Sequence, residues 1–296
     1  MIRKSKVGWI IPTNNPKALF NYFLKSINII LCNEFKLLIL FQPPWDEKKI
    51  ERFLSMCKMN VSYDFIEPKK PVSMMLLRNK CAMLDTSVDY YVLADDNFLF
   101  TYGTPKYNAD SLTRYQQVIQ YMDAFENCGY VMCEGSLGGS IQKLMIKPTS
   151  AGLVSTQRGI FFRNLNKHGK NVWPADCLNI PGTCEETIIC YDIISKGYFP
   201  AKQFNSPTQH RDKIKVEPNK NKGTIHDLDT LQKGAIKYIR EKYKTSTWTN
   251  DTRFFPKELI QQYLKSGGDP EWLNNNSIKY IMNFKNAITR KQETLF

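Results

Sequence analysis

Over the first hundred residues, short continuous apolar runs alternate with stretches whose apolar positions recur at helical spacing. Val7 to Ile11 is an apolar run followed by Pro12-Thr13-Asn14-Asn15, which reads as a buried strand ended by a polar turn. Pro16 to Leu31 carries Leu19, Phe20, Phe23, Leu24 and Ile27 on one helical face. Leu37 to Phe41 predicts a second strand, Glu47 to Lys58 an amphipathic helix, and Val61 to Ile66 a third strand. Ser73 to Leu84 predicts a helix capped by Ser73, and Val88 to Ala94 a fourth strand ended by Asp95-Asp96-Asn97. Apolar strands alternating with helices point to a parallel sheet covered on both faces. Ligands of such sheets lie beyond the carboxyl ends of the strands, so these polar strand ends mark a candidate site.

The second half is less regular. Ser111 to Asn127 predicts a long helix, Tyr130 to Cys133 a strand, Gly135 to Gly139 a flexible turn and Arg158 to Phe162 another strand. Thr183 to Lys196 predicts a helix closed by Gly197 at its C-cap. Residues 205–227 are polar and rich in Lys, Asn and Pro, and predict a loop. Leu228 to Lys244 predicts a basic helix, and short helices and loops follow to Phe296. No internal repeat is present. The expected organisation is a catalytic domain over 1–228, in halves of about 1–100 and 101–228, and a basic helical extension over 229–296.

Composition narrows the class. With 42% hydrophobic and 12% aromatic residues in 296, the chain can bury a core and is no disordered polymer. Its 41 Lys and Arg against 28 Asp and Glu give a net charge of +13, which suits a polyanionic partner or reflects simple lysine richness. The longest apolar region, Leu19 to Phe41, is broken by Lys25, Asn28, Asn33, Glu34 and Lys36, so no transmembrane segment is expected. The apolar stretch after the basic start is too short for a secretory leader. The eight cysteines form no CxxC, and no histidine pair falls at zinc spacing. Reduced thiols and a cytoplasmic location are therefore expected.

Three constellations can carry chemistry. Asp95-Asp96-Asn97 offers hard oxygen donors suited to Mg²⁺ or Mn²⁺, or forms a solvated turn. Arg78, beside Asn79 on the preceding helix, can grip phosphate or a carboxylate bidentately, or is a surface cation. Glu185 and Glu186 open a helix, where acids complement the helix dipole or supply a general base. Gly135 to Gly139 lacks the Walker spacing and reads as an adaptable turn near an acceptor, as does the strand start at Gln157-Arg158-Gly159. No nucleophile elbow supports serine hydrolysis.

In order and spacing, these features resemble the GT-A nucleotide-sugar glycosyltransferases over roughly residues 7 to 200. The matching features are a first strand ending in Ile11-Pro12-Thr13, a helix bearing Arg78-Asn79, a fourth strand ending in an acidic triplet, and an acidic pair opening a helix that closes with Lys196-Gly197-Tyr198. The resemblance implies an α/β fold with a mostly parallel central sheet flanked by helices. It implies a nucleoside diphosphate sugar as co-substrate, a UDP-sugar first, and Mn²⁺ or Mg²⁺ as cofactor. Pro12, Thr13 and Asn14 would lie near the nucleotide, Arg78 would hold the nucleotide or its diphosphate, and Asp95 would contact the ribose or the metal environment. The family's triplet usually ends in a metal-binding Asp, where this chain has Asn97, so Asp96 takes that role or catalysis leans less on metal. Glu186 would be the base of an inverting enzyme, with Glu185 as the alternative. His210 and His226 are the candidates for a late metal- or phosphate-contacting histidine.

The acceptor is read from charge. Arg211, Lys213, Lys215, Lys220 and Lys222 stand against Asp212 and Glu217, and residues 231–296 hold 12 cations against six acids. Interleaved aromatics such as Tyr238, Trp248 and Trp272 suit a nucleic-acid strand, or form the core of an ordinary basic appendage. In size, in its basic appendage and in Asn221-Lys222-Gly223 before a basic helix, the chain is similar to bacteriophage DNA glycosyltransferases. That similarity implies a hydroxymethylated base as acceptor, exposed or flipped for attack, in the cytoplasm of a bacterial host. Two alternatives stand beside it. One is a transferase acting on a lipid-linked or cell-surface glycan, its basic tail resting on anionic lipid. The other is an inactive GT-A-like nucleic-acid-binding protein, which the Asn97 departure favours.

Overall fold

The computed structural model describes residues 6–28, 34–68, 72–96, 98–99, 105–135, 145–148, 157–180, 185–206, 209–210, 228–243 and 257–269. Its centre is an eight-stranded sheet with strand order β3-β2-β1-β4-β8-β6-β9-β7. The strands are β1 (Val7–Thr13), β2 (Phe35–Phe41), β3 (Asn60–Phe65), β4 (Tyr90–Leu93), β6 (Cys128–Gly135), β7 (Met145–Pro148), β8 (Gln157–Arg163) and β9 (Phe199–Ser206). A two-stranded ribbon joins β5 (Phe98–Leu99) to β10 (Gln209–His210).

The apolar runs become the middle of the sheet because both faces there are covered. β1 and β2 are buried almost throughout, and β4 entirely. Trp9 of β1, fully enclosed, packs edge-on against Phe35, Tyr115 and Phe161, with ring centroids 5.9, 5.5 and 6.0 Å away. β1 pairs in parallel with β2 and β4, and β2 with β3. Two expectations need correction. β3 is an edge strand whose residues are exposed or half-buried, with Tyr63 and Phe65 facing solvent, so it is not covered on both faces. The sheet is also mixed: β8 is antiparallel to both β4 and β6, and β7 to β9, while β6 and β9 are parallel. Six strands therefore run one way and two the other, a mostly parallel sheet.

Helices flank the sheet. α1 (Pro16–Ala18) and α2 (Leu24–Ile27) are joined by a π-helical turn over Leu19–Phe23, where a plain α-helix was expected. α3 (Glu47–Met56) is capped by Asp46, and α4 (Met74–Ala82) by Ser73, whose hydroxyl accepts from the Leu76 N–H at 3.0 Å as the sequence predicts. α5 (Pro105–Ala124) begins earlier than its hydrophobic pattern suggested. α6 (Glu185–Ser195) follows a connection over 164–180 that includes a 3-10 turn at Ala175–Cys177. Gly197 ends it with φ +88°, the left-handed cap expected there. A Cβ on Gly197 would stand 2.8 Å from the Ser266 carbonyl oxygen, so glycine is required twice over.

The expected loop over 205–227 is structured at its start: Asn205 and Ser206 belong to β9, and Gln209–His210 forms β10. α7 (Leu228–Tyr243) and α8 (Lys257–Lys265) pack on α6. Ala235, Ile239, Tyr243 and Tyr263 join the main core from these two helices. The six described cysteines are all free thiols. No helix among the described residues is long and apolar enough to cross a membrane.

Candidate active site

The direction of the strands gathers the site. Carboxyl ends of β1, β4 and β6 lie at one edge of the sheet, and reversed β8 brings its amino end to the same edge. Thr13, Asp95, Asp96 and Gly159 thus share that edge although 146 positions separate the first from the last. Gly159 adopts φ +106°, which the start of β8 needs where its register with β6 shifts between Met132 and Glu134.

A narrow cleft at this edge is lined by Arg78, Asp95, Gly159, Ile160, Glu185 and Glu186. Arg78, on α4, is 4% exposed and stands at the centre of a charge cluster. Its Nε donates to Glu185 Oε1 at 2.8 Å, its Nη2 to Asp95 Oδ1 at 2.9 Å, and its Nη1 to the Ala94 carbonyl at 3.4 Å. The charge-assisted pair with Glu185 is enclosed, whereas Asp95 remains partly open to solvent. Burial alone would weaken the Arg78 cation, but Glu185, Asp95 and Glu186 outweigh it and raise its pKa above the ordinary value.

Glu186 is half-buried in the first turn of α6 and faces the same cleft. Desolvation raises its pKa above the usual carboxylate range, and the negative charge of Glu185 raises it further. Its own backbone N–H and Arg78 pull the other way and do not win. Among the described residues one cation therefore lines the cleft with three acids, and Glu186 holds its proton more tightly than an ordinary carboxylate. A cleft carboxyl with a raised pKa is suited to general acid–base chemistry.

The residues expected beside a nucleotide, Pro12, Thr13 and Asn14, lie at the same sheet edge as this cluster. Thr13 is 1% exposed; its hydroxyl donates to Asp96 Oδ2 at 2.8 Å and accepts from the Asn15 N–H at 3.2 Å. Pro12 is half-buried and Asn14 exposed at the same strand end. Thr13 thus orients Asp96 from beneath, a contact the sequence reading did not contain.

Several solved structures share this architecture. S. aureus TarS 1-349 superposes with a TM-score of 0.54 at 10% identity, over 88% of this chain and 71% of that one. The mannosyltransferase PcManGT from Pyrobaculum calidifontis, in complex with GDP-Man and Mn²⁺, superposes with a TM-score of 0.51 at 10% identity, over 97% of this chain and 76% of that one. The fold is a GT-A glycosyltransferase fold. No family model matches the sequence, and no curated protein does.

Within this GT-A fold, the metal candidates divide. Asp96 stands at the carboxyl end of β4, and its oxygen chemistry fits a hard divalent cation. Asp95 is already neutralised by Arg78, which makes it the weaker ligand of the two. Among the described residues no three His, Cys, Asp or Glu side chains form a metal-ligating group. Asn97 and His226 lie outside the described residues. His210 pairs with Phe98 across the β5–β10 ribbon, so the backbone carries this late histidine back to within two positions of Asp96.

Arg158 occupies the second position of β8 at the site edge, though its side chain is outside the description. Arg211, Lys213, Lys215, Lys220 and Lys222, and the turn over 136–139, also lie outside the described residues. Trp173 was overlooked in the sequence. Its indole N–H donates to the Glu185 carbonyl at 3.0 Å, and a lone Trp in a polar connection carries no pattern that would reveal this.

A larger hollow of about 770 Å³ opens at the opposite, amino-terminal edge of the sheet, beside Lys6, Asp89, Asp123, Arg163 and Lys167. Size does not make it the site: its charges are matched, Lys6 with Asp123 and Lys167 with Asp89, both pairs open to solvent.

Proposed function

We propose that this protein transfers a sugar from a nucleoside diphosphate sugar to an acceptor hydroxyl, with Glu186 as the general base. The observation that carries this reading is the convergence of Arg78, Asp95, Glu185 and Glu186 on one cleft at the carboxyl edge of a GT-A fold. The PcManGT complex holds GDP-Man and Mn²⁺, which supports a nucleotide sugar and a divalent cation as the class of ligand here.

The acceptor oxygen forms a bond to the anomeric carbon as the bond from that carbon to the diphosphate oxygen breaks. The electron pair leaves with the nucleoside diphosphate, and the hydroxyl proton passes to the Glu186 carboxylate. The anomeric configuration inverts. Because Glu186 is held partly protonated, the base becomes competent as pH rises through its raised pKa. Arg78 holds Glu185 and Asp95 at fixed positions and supplies the positive charge behind the donor subsite. Pro12, Thr13 and Asn14 border the nucleotide, and Thr13 orients Asp96. Asp96, with His210 and Asn97, would hold Mg²⁺ or Mn²⁺, and a bound cation there would neutralise charge on the departing diphosphate.

For the acceptor we propose DNA bearing hydroxymethylated bases. Support comes from charge: of the net +13, the tail over 231–296 contributes +6, more than a donor diphosphate calls for. Duplex affinity is expected to fall with salt at a slope of about −0.9 per neutralised phosphate. Nucleotide sugars are to be screened by mass against unmodified and hydroxymethylated DNA, with membrane glycolipid extract as the competing acceptor. Sugar added to hydroxymethylated DNA alone supports the assignment. Transfer to the extract alone moves the acceptor to a glycan, and no transfer or donor hydrolysis with Mn²⁺ or Mg²⁺ present makes the fold an inactive one.

A further inference from the structure

Arg78 and Asn79 are neighbours on α4, yet they face different layers of the molecule. Arg78 grips the Glu185 side chain. Asn79 is 4% exposed, and its side chain points to the connection over 164–180 that leads into α6. Its Oδ1 accepts from the N–H groups of both Val172 and Trp173, at 2.7 and 3.2 Å. Its Nδ2 donates to Asn171 Oδ1 at 2.9 Å. Trp173, 1% exposed and edge-on to Phe162 at 5.6 Å, passes the restraint on through its indole N–H to the Glu185 carbonyl. Ser73, at the start of α4, holds the same connection through the Leu178 carbonyl.

The same residue, Glu185, is therefore held twice from one helix: its carboxylate directly by Arg78, its main chain through Asn79 and Trp173. Neither Asn79 nor Trp173 lines the cleft. We propose that Asn79 and Trp173 are positioning residues for the acid pair, setting the first turn of α6 so that the Glu185 carboxylate meets Arg78 and Glu186 faces the cleft. This rests on the reading of Glu186 as the base.

The consequence is electrostatic. Among the described residues, groups that face Glu186 include Glu185 on its own helix, Arg78 from α4, Asp95 after β4 and the buried Tyr130 phenol from β6. If the first turn of α6 rotates, Glu185 moves off Arg78 and its charge is left uncompensated beside Glu186. Glu186 then binds its proton more tightly, and the active base form is reached only at higher pH.

Trp173→Phe removes the N–H and keeps a ring, and Asn79→Ser shortens the acceptor out of reach. Thermal unfolding of the full chain across pH 5 to 9 is the first readout, on wild type, each variant, Glu186→Gln, and each variant combined with Glu186→Gln. The proposal expects the pH-dependent step that Glu186→Gln abolishes to move upward in Trp173→Phe, and to vanish in the combined variant. If Trp173→Phe fails to fold, Asn79→Ser carries the same expectation. An equal loss of melting temperature at every pH, with or without Glu186, would overturn it and leave a purely structural role. Hydrolysis of GDP-mannose and UDP-glucose with Mn²⁺ is the second readout. There the rate–pH limb moves upward with KM for the donor unchanged. Should Glu186→Gln keep normal turnover while the unfolding step still moves, the base assignment fails and the positioning role stands.

Discussion

The two ends of the central sheet both carry clusters of charged side chains, and they are built on opposite terms. At the amino-terminal edge, three cations (Lys6, Arg163, Lys167) face three acids (Asp89, Asp123, Glu126) around an open hollow. At the carboxyl edge, Arg78 is the one cation among the described residues lining a narrow cleft with Asp95, Glu185 and Glu186. The exposed pairs at the first edge contribute little to stability and ask nothing of the fold. The second edge encloses the Arg78–Glu185 pair, which is costly to bury, and desolvation there raises the Glu186 pKa above the usual carboxylate range. The carboxyl edge is therefore the candidate site, and the larger cavity lies at the other.

This contrast can be broken by mutation. The largest effect is expected from Arg78→Leu, which strands Glu185 and Asp95 and should cost about 3–5 kcal/mol in denaturant unfolding. A loss no larger than that of an exposed pair would mean the cluster is not interior. Glu186→Gln should leave the fold intact and lower sugar transfer by about 10²–10⁴-fold. Thr13→Val, which removes the hydroxyl holding Asp96, should weaken apparent Mn²⁺ affinity about 10-fold, measured by activity or by metal-linked melting temperature.

The pH profile sharpens the comparison further. The folded chain binds the Glu186 proton more tightly than the unfolded chain does. Its contribution to stability is therefore complete below the ordinary carboxylate range and is lost as pH rises through the raised folded value. Glu186→Gln should flatten that slope, and a slope unchanged by the substitution would remove Glu186 as its source. The smallest effect belongs to the amino-terminal edge: Lys167→Ala should change stability by less than about 1 kcal/mol and leave transfer untouched.

The sequence made the first half of the fold legible because its signals are local. An apolar run between turns reads as β1, β2 or β4, and Ser73 and Gly197 announce helix ends through chemistry confined to one turn. Arg78, Asp95 and Glu185 were named from sequence, but their joint ion pairs were not, since Arg78 and Glu185 are 107 positions apart. The reversal of β8 was not visible either: an apolar run looks the same in both directions, and only its neighbours decide. β9 was missed because Pro200, Lys202 and Gln203 interrupt its apolar pattern, while its pairing with β6 and β7 supplies what propensity lacks. Asn79 and Trp173 show the same limit at the site. Each meets its partners only after the connection over 164–180 has folded back on α4.

The strand order also sets an order of assembly. By residue 93 the chain contains four neighbours, β3, β2, β1 and β4, each able to pair with the next as it emerges. β6 follows with nothing beside it, because β8, the strand that bridges it to β4, is made later. During synthesis the first four strands can thus close their ladder while β6 waits with two open edges, and those edges are the ones at risk of pairing with another chain. The reversed strand that delivers Gly159 to the cleft is also the link between the two halves of the sheet, so a chain stalled before residue 157 would hold half a sheet and an incomplete cleft.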